Sequence, residues 1–428
     1  MARFKENATQ TADMEGIMTN QDWNERFLSD FEALSANGAT SGGGVERQAA
    51  SGGDLKNRQW FEELLKELGA TVTYDEIGNQ FGLFEFDPAL PFVGLGSHLD
   101  SQPLAGRYDG AYGVLAGAHA AARLAERINS TGEKPLRNLV VINWFNEEGS
   151  RFAPSMMGSS VFSGKLELQT ALQSTDLAGT TVKEAIAQAA WGPVKTAPEI
   201  SEYAEIHVEQ GKELEKSGNQ IGLVTATWGA RKFQLTVKGE QGHTGSTLMA
   251  DRKDALFGAS LVIASVRRLT DNYQPAELQA SVSQLTLEPN SPVTIAREVK
   301  FNVDLRSPSS EVLESAQQEL DSIILAAEDE SKTSILKEQT HHWDLNPYPR
   351  DGVELSRQVV EELGISHQEI FTVAGHDSTN MKDLVPTVML FVPSKDGISH
   401  NEAEYTSPED CLAGVKVFTE VAAKLIFS

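Results

Sequence analysis

Two adjacent glutamates, Glu147 and Glu148, close the stretch LVVINWFNEEG, where a run of branched and aromatic residues gives way abruptly to acids. Like charges at the mouth of a buried strand repel, and taking each out of water costs several kcal/mol. Four other stretches carry chemistry-bearing residues in the same way. GLGSHLD supplies His98 and Asp100, SQPLAGRYDG supplies Asp109, YAEIHVEQG supplies His207, Glu209 and Gln210, and FVPSKDGISHNEAE supplies His400. Singly, each has an ordinary explanation: a solvated strand end, a hydrogen-bonded structural histidine, or the Asp-Gly of a turn. Collectively they are imidazoles and carboxylates, the ligands that Zn2+, Mn2+ and Co2+ accept without cysteine. A pair of such ions about 3.5–4 Å apart needs a carboxylate to bridge them.

The elements that must position these residues follow from periodicity. A chain of 428 residues is too long for one ordinary core, so two domains are expected. Residues 1 to about 20 read as a flexible extension. Trp23, Phe27, Phe31 and Leu34 then recur at helical spacing, SGGGVERQAASGGD reads as a glycine-rich loop, and LKNRQWFEELLKELGA as an amphipathic helix closed by Gly69. Strands and helices alternate from there: PFVGLGSHLD, the small-residue helix GVLAGAHAAARLAERI, and LVVINWF. That alternation predicts a mostly parallel sheet flanked by helices, with functional groups at the carboxyl ends of its strands. After residue 226 the order becomes β-α-β-β-α-β, the pattern of a small ferredoxin-like domain. The α/β pattern resumes near residue 344, so the expected domains are 1–226 and 344–428 with 227–343 inserted between them.

Composition bounds the partners. A formal net charge of −25 argues against nucleic acid and anionic membrane, whose phosphates would be repelled. No apolar run approaches the roughly 20 residues of a membrane span, and the N-terminus lacks the apolar core of a signal peptide. Cys411 is the single cysteine, which excludes internal disulfides and cysteine-built metal sites and fits a reducing cytoplasm.

The order HxD, DG, NEEG, HxEQG, QGHTGST and GISHNEAE resembles the metal-dependent amidohydrolases of the peptidase M20 family. It is most similar to the hydantoinase/carbamoylase branch, with its N-carbamoyl-L-amino-acid hydrolases, β-ureidopropionases and allantoate amidohydrolases. The resemblance implies an α/β, mostly parallel-sheet metallohydrolase domain carrying an inserted ferredoxin-like lid and dimerisation domain. It implies two divalent ions per subunit (Zn2+, Mn2+ or Co2+), a homodimer, and hydrolysis of a linear amide or ureido C–N bond in an N-carbamoyl-L-amino acid or a related ureido or N-acyl amino acid.

Carried over position by position, His98 and His207 bind one ion, Glu148 and His400 the other, and Asp109 bridges them. Glu147 is the general base toward a water between the ions, and Asp100 orients His98. In the inserted domain, His243 stabilises the oxyanion, commonly in the site of the other subunit. Arg306 meets the substrate carboxylate as a planar two-pronged donor, and Gln210 and His376 lie near the ureido or amide group. Two positions depart from the family: Val293 stands where relatives carry an asparagine beside the carboxylate site, and Leu248 where many have proline. A more apolar substrate pocket is the expected result. Metallo-aminopeptidases and N-acyl amino acid deacylases use the same metal set, but HVEQG and GISHNEAE favour the carbamoylase branch. A ligand-binding relative without catalysis is opposed by the intact ligand set and Glu147. His119, His341, His342 and His367 are expected to be structural, and Cys411 buried.

Overall fold

The structure, a computed structural model, describes residues 18–189 and 191–428. The expected N-terminal extension lies outside the described residues except for its last few. Two compact units form, one from residues up to 222 with 354–368 and 380–428, the other from 223–353 with 369–379. The boundaries read from periodicity, 226/227 and 343/344, mark where strand patterning changes. The compact units are set by contacts instead, which draw residues 344–353 and 369–379 into the second unit.

In the first unit, helix α1 (Asn20–Ala36) starts at Thr19, whose hydroxyl and the Asp22 carboxylate cap each other's backbone N–H groups. It buries Trp23, Phe27, Phe31 and Leu34. Helix α2 (Gly52–Glu67) begins inside the stretch read as loop, because the Ser51 hydroxyl accepts the Asp54 N–H and starts the helix there. The sheet contains β1 (Thr71–Tyr74), β2 (Gln80–Phe84), β3 (Phe92–His98), β4 (Asn138–Trp144), β5 (Ile200–Val208) and the strand Thr387–Val392. They lie in the order β1-β2-β4-β3-β5-(387–392). β1 and β2 are antiparallel to their neighbours, and the other four strands run parallel to one another. Every residue of β4 is buried, the burial expected of a parallel strand covered on both faces. Helix α3 (Ala111–Thr131) packs closely on this sheet, and a Cβ at Gly113 would meet the Ile206 carbonyl oxygen at 2.1 Å. The β1–β2 hairpin has strands too short for periodicity to reveal.

The second unit holds β6 (Gly229–Lys238), β7 (Gln279–Glu288), β8 (Glu298–Ser307) and β9 (Ser334–Trp343), all antiparallel in the order β9-β6-β8-β7. Helices α4 (Ala255–Leu269) and α5 (Ser310–Ser331) complete the β-α-β-β-α-β order and pack on the alternate residues Phe233, Leu235, Val237, Val299, Phe301, Val303 and Leu305. α4 begins at Ala255 because Asp254 accepts the N–H groups of Leu256 and Phe257 and so starts the helix. Among the described residues no helix is long and apolar enough to cross a membrane.

Candidate metal centre

The parallel register brings the strand ends level. His98, the last residue of β3, lies opposite Trp144, the last of β4, so the segment 145–148 emerges beside residues 99 and 100. His207 of β5 lies opposite Phe391, which brings residues 393–400 to the same edge. Asp109 arrives from the loop before α3. There Gly110 has φ +63, and a Cβ on it would stand 2.4 Å from the His98 ring, so the turn that delivers Asp109 admits only glycine.

Two groups of donor atoms result, His98–Asp109–His207 and Asp109–Glu148–His400, each with its members within 4.8 Å of one another. Asp109 belongs to both. Its Oδ1 lies 3.1 Å from His207 Nε2 and 3.5 Å from His98 Nε2, while its Oδ2 lies 3.3 Å from His400 Nε2. Glu148 Oε2 is 3.4 Å from His400 Nε2, and Gln102 holds that carboxylate through its backbone N–H and its amide. Glu147 belongs to neither group, and its Oε2 lies 3.5 Å from His98 Nε2. The buried histidines have fixed tautomers. His98 Nδ1 donates to the Asp100 carbonyl and His207 Nδ1 to the Val208 carbonyl, both at 2.9 Å. Each Nε2 lone pair is therefore turned toward Asp109, where the Gly110 N–H meets that of His207 at 2.9 Å. Fixed Nε2 lone pairs and a carboxylate with one oxygen toward each group are what a pair of divalent ions requires, so the residues fit the group.

The charges are interdependent. Burial works against the imidazolium forms, but Glu147, Asp109 and Asp100 outweigh it and hold His98 well above the ordinary histidine value. Asp109 does the same for His207. His400 is pushed up to about 9, burial being outweighed by Glu148 and Asp109. Glu148 is raised by burial and by Asp109, while Asp109 falls well below the usual range because the three histidines overcome its burial. Burial raises Asp100 to about 7, and burial with Asp109 raises Glu404 to about 7. The cluster retains protons that cations would replace.

The remaining residues divide by unit. Asp100 orients His98 through its carbonyl oxygen. Its carboxylate, 3.8 Å from His98 Nδ1, accepts the N–H groups of Glu147 and Glu148 and so shapes the acidic turn. Gln210, at φ +58, donates Nε2 to Asp109 Oδ2 at 2.8 Å and to Ser399 Oγ at 3.0 Å. Glu209 stays outside the cluster, because its carboxylate accepts the N–H groups of Glu213 and Leu214 at the start of a short helix. Ser399, Glu404 and Gln102 touch the cluster without having been singled out. Only the place of the first two within GISHNEAE hinted at them.

His243, Arg306 and His376 lie in the second unit. His243 is exposed opposite Thr294, with Nδ1 accepting the N–H groups of Gly245 and Ser246. Arg306 donates to Asp304 and to the Val373 carbonyl, and His376 is buried with Nε2 3.1 Å from Thr372 Oγ1. Val293 and Leu248, the two departures, are exposed, and the Val293 carbonyl accepts the Thr244 N–H beside His243.

Residues 94–424 match the model of peptidase family M20/M25/M40. A Mycolicibacterium smegmatis protein named only at the level of a hydrolase is 49% identical, over 94% of this chain and 92% of that one. An N-carbamoyl-L-amino-acid amidohydrolase of Rhizobium meliloti is 34% identical, over 92% of this chain and 94% of that one. The crystal structure of an amidase of the hydantoinase/carbamoylase family from Burkholderia vietnamiensis superposes with a TM-score of 0.89 at 34% identity, covering 95% of this chain and 98% of that one.

Proposed function

The chain belongs to the peptidase M20/M25/M40 family and is a hydrolase of C–N bonds, and from that premise we propose a binuclear metal-dependent amidohydrolase of N-carbamoyl-L-amino acids or related ureido and N-acyl amino acids. The observation that carries this reading is Asp109, one oxygen of which faces His98 and His207 while the other faces His400. His98, His207 and Asp109 would hold one divalent ion, and Asp109, Glu148 and His400 the other, with Zn2+, Mn2+ or Co2+ suited to these donors. Ions bound there lower the pKa of water and polarise a carbonyl oxygen.

The chain's own residues do the rest. Glu147, in neither ligand group, accepts a proton on its carboxylate and delivers it to the leaving nitrogen. Gln210 steadies Asp109 through Nε2, and its Oε1, buried and without a partner among the described residues, is an acceptor suited to a ureido N–H. His243, with Nδ1 engaged as an acceptor, presents Nε2–H as a donor to the oxyanion. Arg306 takes the substrate carboxylate, with Asp304 holding its guanidinium in place, and His376 is assigned to the amide group by its position in AGHDST. The second unit builds a homodimer in which His243 serves the neighbouring site.

Chelation should abolish activity and Mn2+, Co2+ or Zn2+ should restore it, with ammonia released from an N-carbamoyl-L-amino acid. Glu147→Gln should lower kcat by about 10²–10⁴ with the bound ions retained. Full activity in metal-free protein, or cleavage of dipeptides without ammonia release, would overturn the assignment.

A further inference from the structure

We propose that Glu404 is a positioning residue of this centre, a buried strut that sets the spacing between the segment carrying Asp109 and the segment carrying His400. The proposal rests on the metal-centre reading above and assigns a role to a residue outside its ligand groups. Glu404 is 4% exposed, and its two oxygens face two different parts of the chain. Oε2 accepts the backbone N–H of Tyr108 at 2.8 Å and of Asp109 itself at 3.1 Å. Oε1 meets the Ser399 hydroxyl at 3.0 Å, one residue before His400. Ser399 in turn lies 2.9 Å from Asp109 Oδ2, the oxygen that faces His400, and receives Gln210 Nε2 at 3.0 Å. One carboxylate thus ties together segments almost three hundred residues apart in the chain, at the residue the two ligand groups share.

The surroundings are built to admit it. A Cβ on Gly106 would stand 2.1 Å from Glu404 Oε2, so that glycine keeps open the path by which the carboxylate reaches the Asp109 loop. His400 needs such a strut more than the other ligands do. It follows a turn rather than ending a strand, its backbone sits at φ +51, and its side chain is 47% exposed. Neighbouring strands steady His98 and His207, but His400 has the Ser399–Glu404 contact instead. Burying a carboxylate is costly, and a surface loop could be fastened without one. Placing an acid against the backbone of a bridging ligand fixes that ligand's approach while leaving both of its side-chain oxygens to face the two donor groups.

The test uses full-length protein and follows ions bound per chain, their dissociation constants by chelator competition, and the visible spectrum of the Co2+-loaded form. Wild type should bind two ions. Glu404→Ala should keep the tighter ion, with a Co2+ spectrum altered from that of wild type, and should weaken the other at least tenfold. Glu404→Gln should recover most of that affinity, because its amide oxygen can still accept from Tyr108 and Asp109 and its NH2 can donate to Ser399. Should Glu404→Ala fail to fold, Ser399→Ala decides. It removes the contact between Glu404 and the His400 segment together with the hydroxyl's contacts to Asp109 Oδ2 and Gln210 Nε2, and is expected to weaken the same ion. Two ions bound with wild-type affinity in folded Glu404→Ala, or in Ser399→Ala, would overturn the strut while leaving the metal centre standing. Wild type binding no divalent ion would overturn the metal centre and the strut together.

Discussion

His400 is the half-exposed member of a buried cluster, and its titration contributes to how the ion-free protein responds to pH. Its folded pKa, about 9, lies above the value near 6.5 of an unfolded histidine. The protonated ring therefore contributes stability below about pH 6.5 that is lost as pH rises through about 9. His98 and His207, also raised, act in the same direction. Glu148 and Asp100 add to the trend, since their buried carboxylates destabilise once ionised, Asp100 at about 7. Asp109 has the opposite sign, but its contribution is lost only in acid. The melting temperature of metal-free protein should fall between pH 6 and 9, and a divalent ion should raise it more at pH 9 than at pH 6. Calorimetry showing a flat profile without metal would contradict this account. Among the candidate ligands, His98, Glu148 and His207 were legible in the sequence because buried apolar runs stop at or beside them, whereas Asp109 and His400, in loops, stood out only through the order of the motifs. Glu404 and Ser399 were not, because a polar residue in a loop reads the same whether it faces solvent or a ligand. Asp100 was legible as a neighbour of His98, but not the fact that its carbonyl oxygen does the orienting.

At the scale of elements, four parallel strands end at one edge, and the turn at Gly110 converts that edge into a site. Gly110→Ala would combine left-handed backbone strain, on the order of 1–3 kcal/mol, with a methyl group 2.4 Å from the His98 ring. Gly132 at φ +71, with nothing near its Cβ position, isolates the strain alone. Elemental analysis should find Gly132→Ala fully loaded and Gly110→Ala depleted in metal, although both melt at lower temperature. Equal metal content in the two would show that the close approach to His98 is not what requires glycine. α1 and β8 were legible because their period is sustained, and β4 because it is a nearly continuous apolar run. The short helices Met157–Phe162, Leu168–Gln173 and Val182–Ala187, at six residues each, have too few turns for a period to show.

At the scale of the whole molecule, the exposed apolar side chains Leu248 and Met249 follow His243 closely in the chain, and the carbonyl of exposed Val293 accepts the Thr244 N–H beside it. Exposed apolar groups near the histidine proposed for the oxyanion suit cover by a second copy. If His243 works in trans, mixing inactive Glu147→Gln and His243→Ala subunits should restore part of the activity, because one hybrid site then holds both intact residues. Verified mixed dimers that stay inactive would place His243 in its own subunit's site. The order of the ligands along the chain bears on how the protein is made. His98, Asp109, Glu148 and His207 have all been translated before the second unit begins, whereas His400 and Glu404 follow it. Domains fold as units during synthesis, but the strand Thr387–Val392 that pairs with β5 also follows the second unit, so the edge that carries His207 waits for it while the second unit is made. A message cut short in that interval would yield a first unit whose β5 lacks that neighbouring strand and whose donors lack His400. An open strand edge of that kind is a template for pairing with other chains, so clearing such fragments would guard the cell against aggregation.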